Sequence, residues 1–167
     1  MKIIKQAAMA ISITTFSFSS FADESSDVTF HVYTHIQDYG QTTFSEDEWA
    51  GTRSESKRLE SIAITPLYPN IGSWPSCLGL SYMGHIQDHG DTGWYDAPNK
   101  LGTEGKSLRI EGLAFKTTGT CANDYTVKYS CHVQNYGDIG EKSDGEYCGF
   151  RGSGLRLEAV KLTVHSK

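Results

Sequence analysis

Three short strings carrying the same chemistry recur along this chain. His35-Ile36-Gln37-Asp38 returns as His85-Ile86-Gln87-Asp88 and again as His132-Val133-Gln134-Asn135, and each is closed by Gly40, Gly90 or Gly137. An Arg-apolar-Glu triplet follows every copy: Arg58-Leu59-Glu60, Arg109-Ile110-Glu111 and Arg156-Leu157-Glu158. Imidazole, carboxamide, guanidinium and carboxylate are planar groups with complementary donors and acceptors, and a fixed set of them suits a hydroxyl-rich ligand such as a sugar. The same groups can instead satisfy one another. An Arg–Glu pair with a hydrogen-bonded His would pin each copy, and scaffold is what every copy must share.

The candidate ligand residues are therefore His35, Gln37, Asp38, His85, Gln87, Asp88, His132, Gln134 and Asn135. Asp38, Asp88 and Asn135 stand where a strand gives way to a turn. They either cap that turn through their side chains or offer a sugar contact at a loop mouth. Trp94 and Tyr95 join the set, because they follow the loop Gly90-Asp91-Thr92-Gly93 and a flat ring there can stack on a pyranose. The competing role for Trp94 is packing against a neighbouring copy. Trp49 and Trp74 read as core or lid residues.

Catalytic patterns are missing. The chain has no Gly-x-Ser-x-Gly elbow, no His-Glu-x-x-His and no phosphate-cradling glycine loop. Nothing singles out a pair of carboxylates for glycoside hydrolysis. Each repeated His comes with Gln rather than with a second ligand at metal spacing, so neither a metal nor another cofactor is expected. The expectation is a non-enzymatic protein.

The elements that must hold these residues follow from the spacing. From the repeat His to the repeat Arg is 23, 24 and 24 residues, and Gly51, Gly102 and Gly149 each precede their Arg by seven. Such regularity predicts three copies of one unit, over about 28–66, 78–117 and 125–164. Within a copy, a strand such as 28–37 runs into an Asp-x-Gly turn, a variable segment follows, and a last strand such as 107–115 closes the unit. Alternation along that last strand sets Arg109 and Glu111 on one face and Leu108 and Ile110 on the other. No segment keeps a helical period. A unit this small cannot bury its own apolar face, so the copies should share a core. The prediction is an all-β domain of three repeats about a pseudo-threefold axis, as a β-prism or alternatively a β-trefoil, both of which protect strand edges by closing the ring.

The ends and the composition set the setting. Residues 1–22 carry Lys2 and Lys5, then an apolar stretch, then Ser20-Phe21-Ala22, the pattern of a cleaved secretory signal. The domain would then be 23–167, exported to the medium or the cell surface, with nothing else apolar enough to span a membrane. A net charge of −5 argues against a nucleic-acid partner. Cys77, Cys121, Cys131 and Cys148 make an even count suited to two disulfides in an oxidising compartment. Three pairings are possible; Cys131–Cys148 within copy three and Cys77–Cys121 flanking copy two are the pairs expected.

The text His-apolar-Gln-Asp/Asn-x-Gly, followed after a loop by Gly102-Thr103-Glu104-Gly105-Lys106-Ser107-Leu108-Arg109-Ile110-Glu111 in copy two, resembles the clostridial hydrophobic W repeats. The resemblance covers nearly the whole exported part. It implies an exported or surface protein that binds polysaccharide or anchors at a surface. Gln41, Asp91 and Asp138 stand where the family has tryptophan, and a second aromatic position reads Phe44, Trp94 and Glu141. Only copy two, through Trp94, retains much of the family's tryptophan surface. The functional expectation is a lectin-like carbohydrate-binding or adhesion protein whose partner is a glycan. The alternative is a protein-interaction module such as an effector, toxin accessory or inhibitor.

Overall fold

The computed structural model describes residues 28–67 and 74–167, so the leader expected over 1–22 lies outside the described residues. Copy one contains β1 (Phe30–Ile36), β2 (Gly40–Ser45), β3 (Ala50–Gly51) and β4 (Leu59–Pro66). Copy two contains β5 (Leu78–Ile86), β6 (Gly90–Asp91), β7 (Tyr95–Asp96), β8 (Leu101–Gly102) and β9 (Ile110–Gly119). Copy three contains β10 (Tyr125–Val133), β11 (Gly137–Ser143), β12 (Cys148–Gly149) and β13 (Leu157–Ser166). Among the described residues the one helical piece is a 3-10 turn at Ala122–Asp124.

The first strands alternate as their sequences require, except that Ser81 of β5 is buried along with Leu80 and Tyr82. In β1, Phe30, Val32, Thr34 and Ile36 are buried while His31, Tyr33 and His35 face outward. The last strands begin later than the sequence suggests. β9 starts at Ile110 rather than Ser107, so the repeat Arg lies just before the strand and not inside it. Leu59 to Ile64 in β4, and Ile110 to Phe115 in β9, are buried at every position. The reason is that these strands are paired on both edges.

The second edge is supplied by another copy. In sheet order, β2-β1-β4 accepts β8 from copy two, the sheet of β9 and β5 accepts β12 from copy three, and β11-β10-β13 accepts β3 from copy one. Copy two donates to one, three to two and one to three, so the exchange closes on itself. Each donated piece is two residues long, paired as Ser61↔Gly102, Gly149↔Gly112 and Ala159↔Gly51.

One core runs through all three copies. Phe115 of copy two meets Tyr129 of copy three edge-on at 5.0 Å, and Phe30 meets Trp74 at 5.9 Å. Trp74 is a core residue, as its sequence position suggests, with its indole N–H on the Leu78 carbonyl at 2.6 Å. The Tyr82 hydroxyl accepts from the Ile64 N–H in copy one and donates to the Asn99 carbonyl at 2.5 Å. Burial pushes the Tyr82 and Tyr129 phenols up to about 12. Two disulfides, Cys77–Cys121 and Cys131–Cys148, form the expected pairs. The second ties β10 to β12, the strand that copy three gives away.

Candidate functional site

The repeated Arg-apolar-Glu makes the joint between copies. Ladder register slips where the repeat His is reached: Ile36 pairs with Leu59 but His35 pairs with Ser61, which leaves Glu60 as an extra residue. Glu111 and Glu158 are extra in the same way. A β-bulge of this kind re-aims a side chain and kinks the strand. The bulged glutamates are 3%, 2% and 4% exposed, and each carboxylate is met by its own copy's arginine at 2.6 to 2.8 Å. Their carbonyls take the donated strand, through the Thr103 N–H on Glu60, the Phe150 N–H on Glu111 and the Thr52 N–H on Glu158. Gly51, Gly102 and Gly149 lie directly on those carbonyls. A Cβ at any of them would stand 2.2 to 2.4 Å from the glutamate oxygen, and their φ values of 136°, 99° and 122° already favour glycine.

Outside this joint lies a rim built by two copies. His85 Nδ1 donates to Asp91 at 2.7 Å, and Asp91 also accepts from Arg151 of copy three at 3.2 Å. His132 Nδ1 donates to Asp138 at 2.6 Å, and Asp138 also accepts from Arg53 of copy one at 2.5 Å. Both histidines turn Nε2 toward the buried glutamate, at 3.9 and 3.8 Å. Each arginine lies over an aromatic ring, Arg151 over Tyr147 at 3.6 Å and Arg53 over Trp49 at 4.7 Å. The bond from His85, and behind it the Arg151 charge, hold the Asp91 carboxyl below the usual carboxylate range.

The third rim is charged differently. Gln41 replaces the Asp, and copy two contributes Glu104 with Lys100 in place of an arginine with its ring. Glu104 accepts from Lys100 at 2.5 Å and from the Ser61 hydroxyl at 3.3 Å. His35 then turns Nδ1 toward Glu60 at 3.2 Å, without hydrogen-bond alignment. Asp91 is met by Arg151 and Asp138 by Arg53, whereas the copy that carries the uncharged Gln41 receives Glu104, whose carboxylate is held by Lys100 and Ser61. That pattern is written in the sequence, but it shows only when each copy is read against the copy that donates to it.

Of the sequence candidates, His35, His85 and His132 are brought onto the rims. Gln87 binds the Arg109 guanidinium at 2.7 Å, and Gln134 accepts from the Arg156 backbone N–H at 3.3 Å. Gln37 sits beside Asp38 instead, so the His–Gln–Arg–Glu set is joined through the guanidinium in copy two and through the Arg156 backbone in copy three. Asp38, Asp88 and Asn135 are exposed turn residues with φ of 67°, 63° and 67°, apart from the joint. Asp38 reaches Lys57 at 2.6 Å, which lowers its pKa. Every joint also keeps buried polar atoms with no hydrogen-bond partner: His35 Nδ1 and Thr103 Oγ1, Glu111 Oε2, and Arg156 Nε with Thr52 Oγ1.

Trp94 and Tyr95 are 43% and 38% exposed, and the Lys116 ammonium lies 4.1 Å over the Trp94 ring. Local register explains why this tryptophan faces outward. β2 pairs with β1 without a slip, and Phe44 packs against the core. In copy two the pairing moves from His85↔Asp91 to Tyr82↔Tyr95, which inserts one residue around Trp94. In copy three it moves from Cys131↔Ile139 to Tyr129↔Lys142, which inserts one residue at Glu141. One position is thus a core aromatic, an exposed aromatic and an exposed acid in turn.

Comparison with known proteins agrees with this threefold reading. The family model described as Clostridial hydrophobic W matches residues 35–65, 85–119 and 132–165. No curated protein and no solved structure matches the chain. The chain belongs to the clostridial hydrophobic W family, with three repeats.

Proposed function

We propose that this is an exported, non-enzymatic, lectin-like protein that binds a glycan or polysaccharide through what differs between its copies. The shared residues Gly, Arg and Glu are consumed in closing the ring, and the buried carboxylates are already held by arginine. The observation that carries the reading is the Trp94-Tyr95 pair, held outward by a local insertion on the segment that follows Asp91 of the His85–Asp91–Arg151 rim. An exposed ring next to planar donors and acceptors is the combination that a pyranose ring uses. The cyclic strand exchange among three sheets supports a β-prism-like arrangement about a pseudo-threefold axis. Export is supported by the leader pattern over 1–22 and by the two disulfides.

The test is a glycan array and polysaccharide pull-down with folded protein, followed by titration of tryptophan fluorescence. Binding that perturbs the emission and weakens at least about tenfold in Trp94→Ala is expected, from the loss of one stacked ring. A blank array and pull-down would sink the reading. A second reading, a protein-interaction module, draws on the exposed turn tips Tyr39 and Tyr136, the latter stacked on Phe150 at 4.4 Å. Capture of a protein partner that Tyr136→Ala releases would favour it.

A further inference from the structure

The outer face of the copy-three sheet carries a concave cleft of about 210 Å³, lined by none of the repeated His-x-Gln or Arg-x-Glu residues. Asp47, Lys128, Ser130, Glu141, Lys161 and His165 line it, with the Thr163 hydroxyl on His165 Nε2 at 2.8 Å. Asp47 comes from copy one. It is anchored there by its N–H on the Leu162 carbonyl at 3.1 Å and by Lys161 on its carboxylate at 2.7 Å.

Internal comparison shows that the scaffold does not require this lining. Ring closure places Ala63 and Ala114 where copy three has Lys161, and both alanines are buried. Tyr33 and Met83 stand for Ser130, Leu67 and Thr118 for His165, and Pro98 and Gly145 for Asp47. Glu141 is the inserted residue opposite Ser130, and a bulge is how a strand turns one side chain onto a chosen face. Copy two aims Trp94 in the same way. A polar concavity at positions where the same fold accepts alanine, methionine and glycine points to a ligand rather than to folding.

The lining also selects among ligands. Two lysines stand against two carboxylates, so the formal charges cancel and neither a polyanion nor a polycation is favoured. The cleft has no exposed aromatic ring to receive a flat apolar group. Ammonium donors, carboxylate acceptors and hydroxyls that serve as both match a compact polyol. We propose that this cleft binds one neutral sugar unit, as a site separate from the Trp94 face and on a different sheet. The ligand class rests on the function proposed above; the location rests on the cleft alone.

The test is backbone amide NMR of the exported chain, titrated with free glucose, galactose, mannose and N-acetylglucosamine. For at least one sugar, shifts should cluster at Ser130, Glu141, Lys161 and Thr163. Lys161→Ala should weaken that sugar by about tenfold, through loss of a charge-assisted hydrogen bond. Its fold should be intact, because the other copies carry alanine there, and circular dichroism checks this. Trp94→Ala should leave the cleft shifts unchanged. Shifts confined to Trp94 and Tyr95, or binding of charged sugars alone on the array, would overturn the cleft and leave the glycan-binding reading standing. Silence from all four sugars would also overturn the cleft, and a blank array beside it would remove both.

Discussion

Glu111 has its carboxylate against Arg109 and its carbonyl under the Phe150 N–H, at 2% exposure. The side chain and the backbone of one residue thus join two copies. Taking an ionised carboxylate out of water is costly unless a cation and hydrogen bonds accompany it, so the partner cannot simply be deleted. Arg109→Ala should destabilise the fold by about 3 kcal/mol, the usual cost of stranding a buried charge. Arg109→Met combined with Glu111→Leu should recover most of that loss. Urea denaturation measures both, and an Arg109→Ala midpoint equal to wild type would show that the pair does not hold the joint.

At the scale of the strand, the short donated pieces matter more than their length suggests. β8 offers only Leu101 and Gly102, yet it covers the otherwise open edge of β4. Its approach depends on the missing side chain of Gly102, whose Cβ would stand 2.2 Å from the Glu60 carbonyl at a φ of 99°. Gly102→Ala should therefore cost about 3 kcal/mol, combining backbone strain with a clash that the sheet cannot relax. Gly93→Ala has nothing within 4 Å and should cost less than about 1 kcal/mol. Thermal melts of the two variants side by side make the comparison. The insertions at Trp94 and Glu141 work at this scale too: they leave the sheet intact and change only which side chain its outer face presents.

Across the whole molecule, no copy is complete by itself. Each sheet is finished by a neighbour, the Phe115 and Tyr129 rings meet across one copy boundary, and the Tyr82 hydroxyl reaches Ile64 across another. Stability should consequently be cooperative over all three copies, unlike an open array that loses one unit at a time. A fragment of residues 74–167 lacks both β3 and β4, and so should be unfolded or self-associated. Sedimentation and far-ultraviolet circular dichroism would decide; a folded monomer would contradict the closed exchange. The rim charges support this ring order, since in the reverse order Glu104 would dock on copy three and meet the carboxylate of Asp138.

Repeat number, strand character and the presence of two disulfides were legible in the sequence, because residue spacing, alternation and cysteine count are read along the chain; the structure chose the expected pairing from three and put Trp74 in the core rather than in a lid. The Arg–Glu pairing was legible for the same reason, two residues apart along one chain segment. Several features were decided only by the tertiary structure. Glu60, Glu111 and Glu158 became bulge residues because a strand paired on both edges had to admit a donated glycine. Arg53 and Arg151 reached Asp138 and Asp91 across copy boundaries, 85 and 60 residues away along the chain. The polar cleft of copy three exists because ring closure sets Asp47 beside Lys161. Such contacts depend on which copy docks on which, and spacing within a single copy does not encode that.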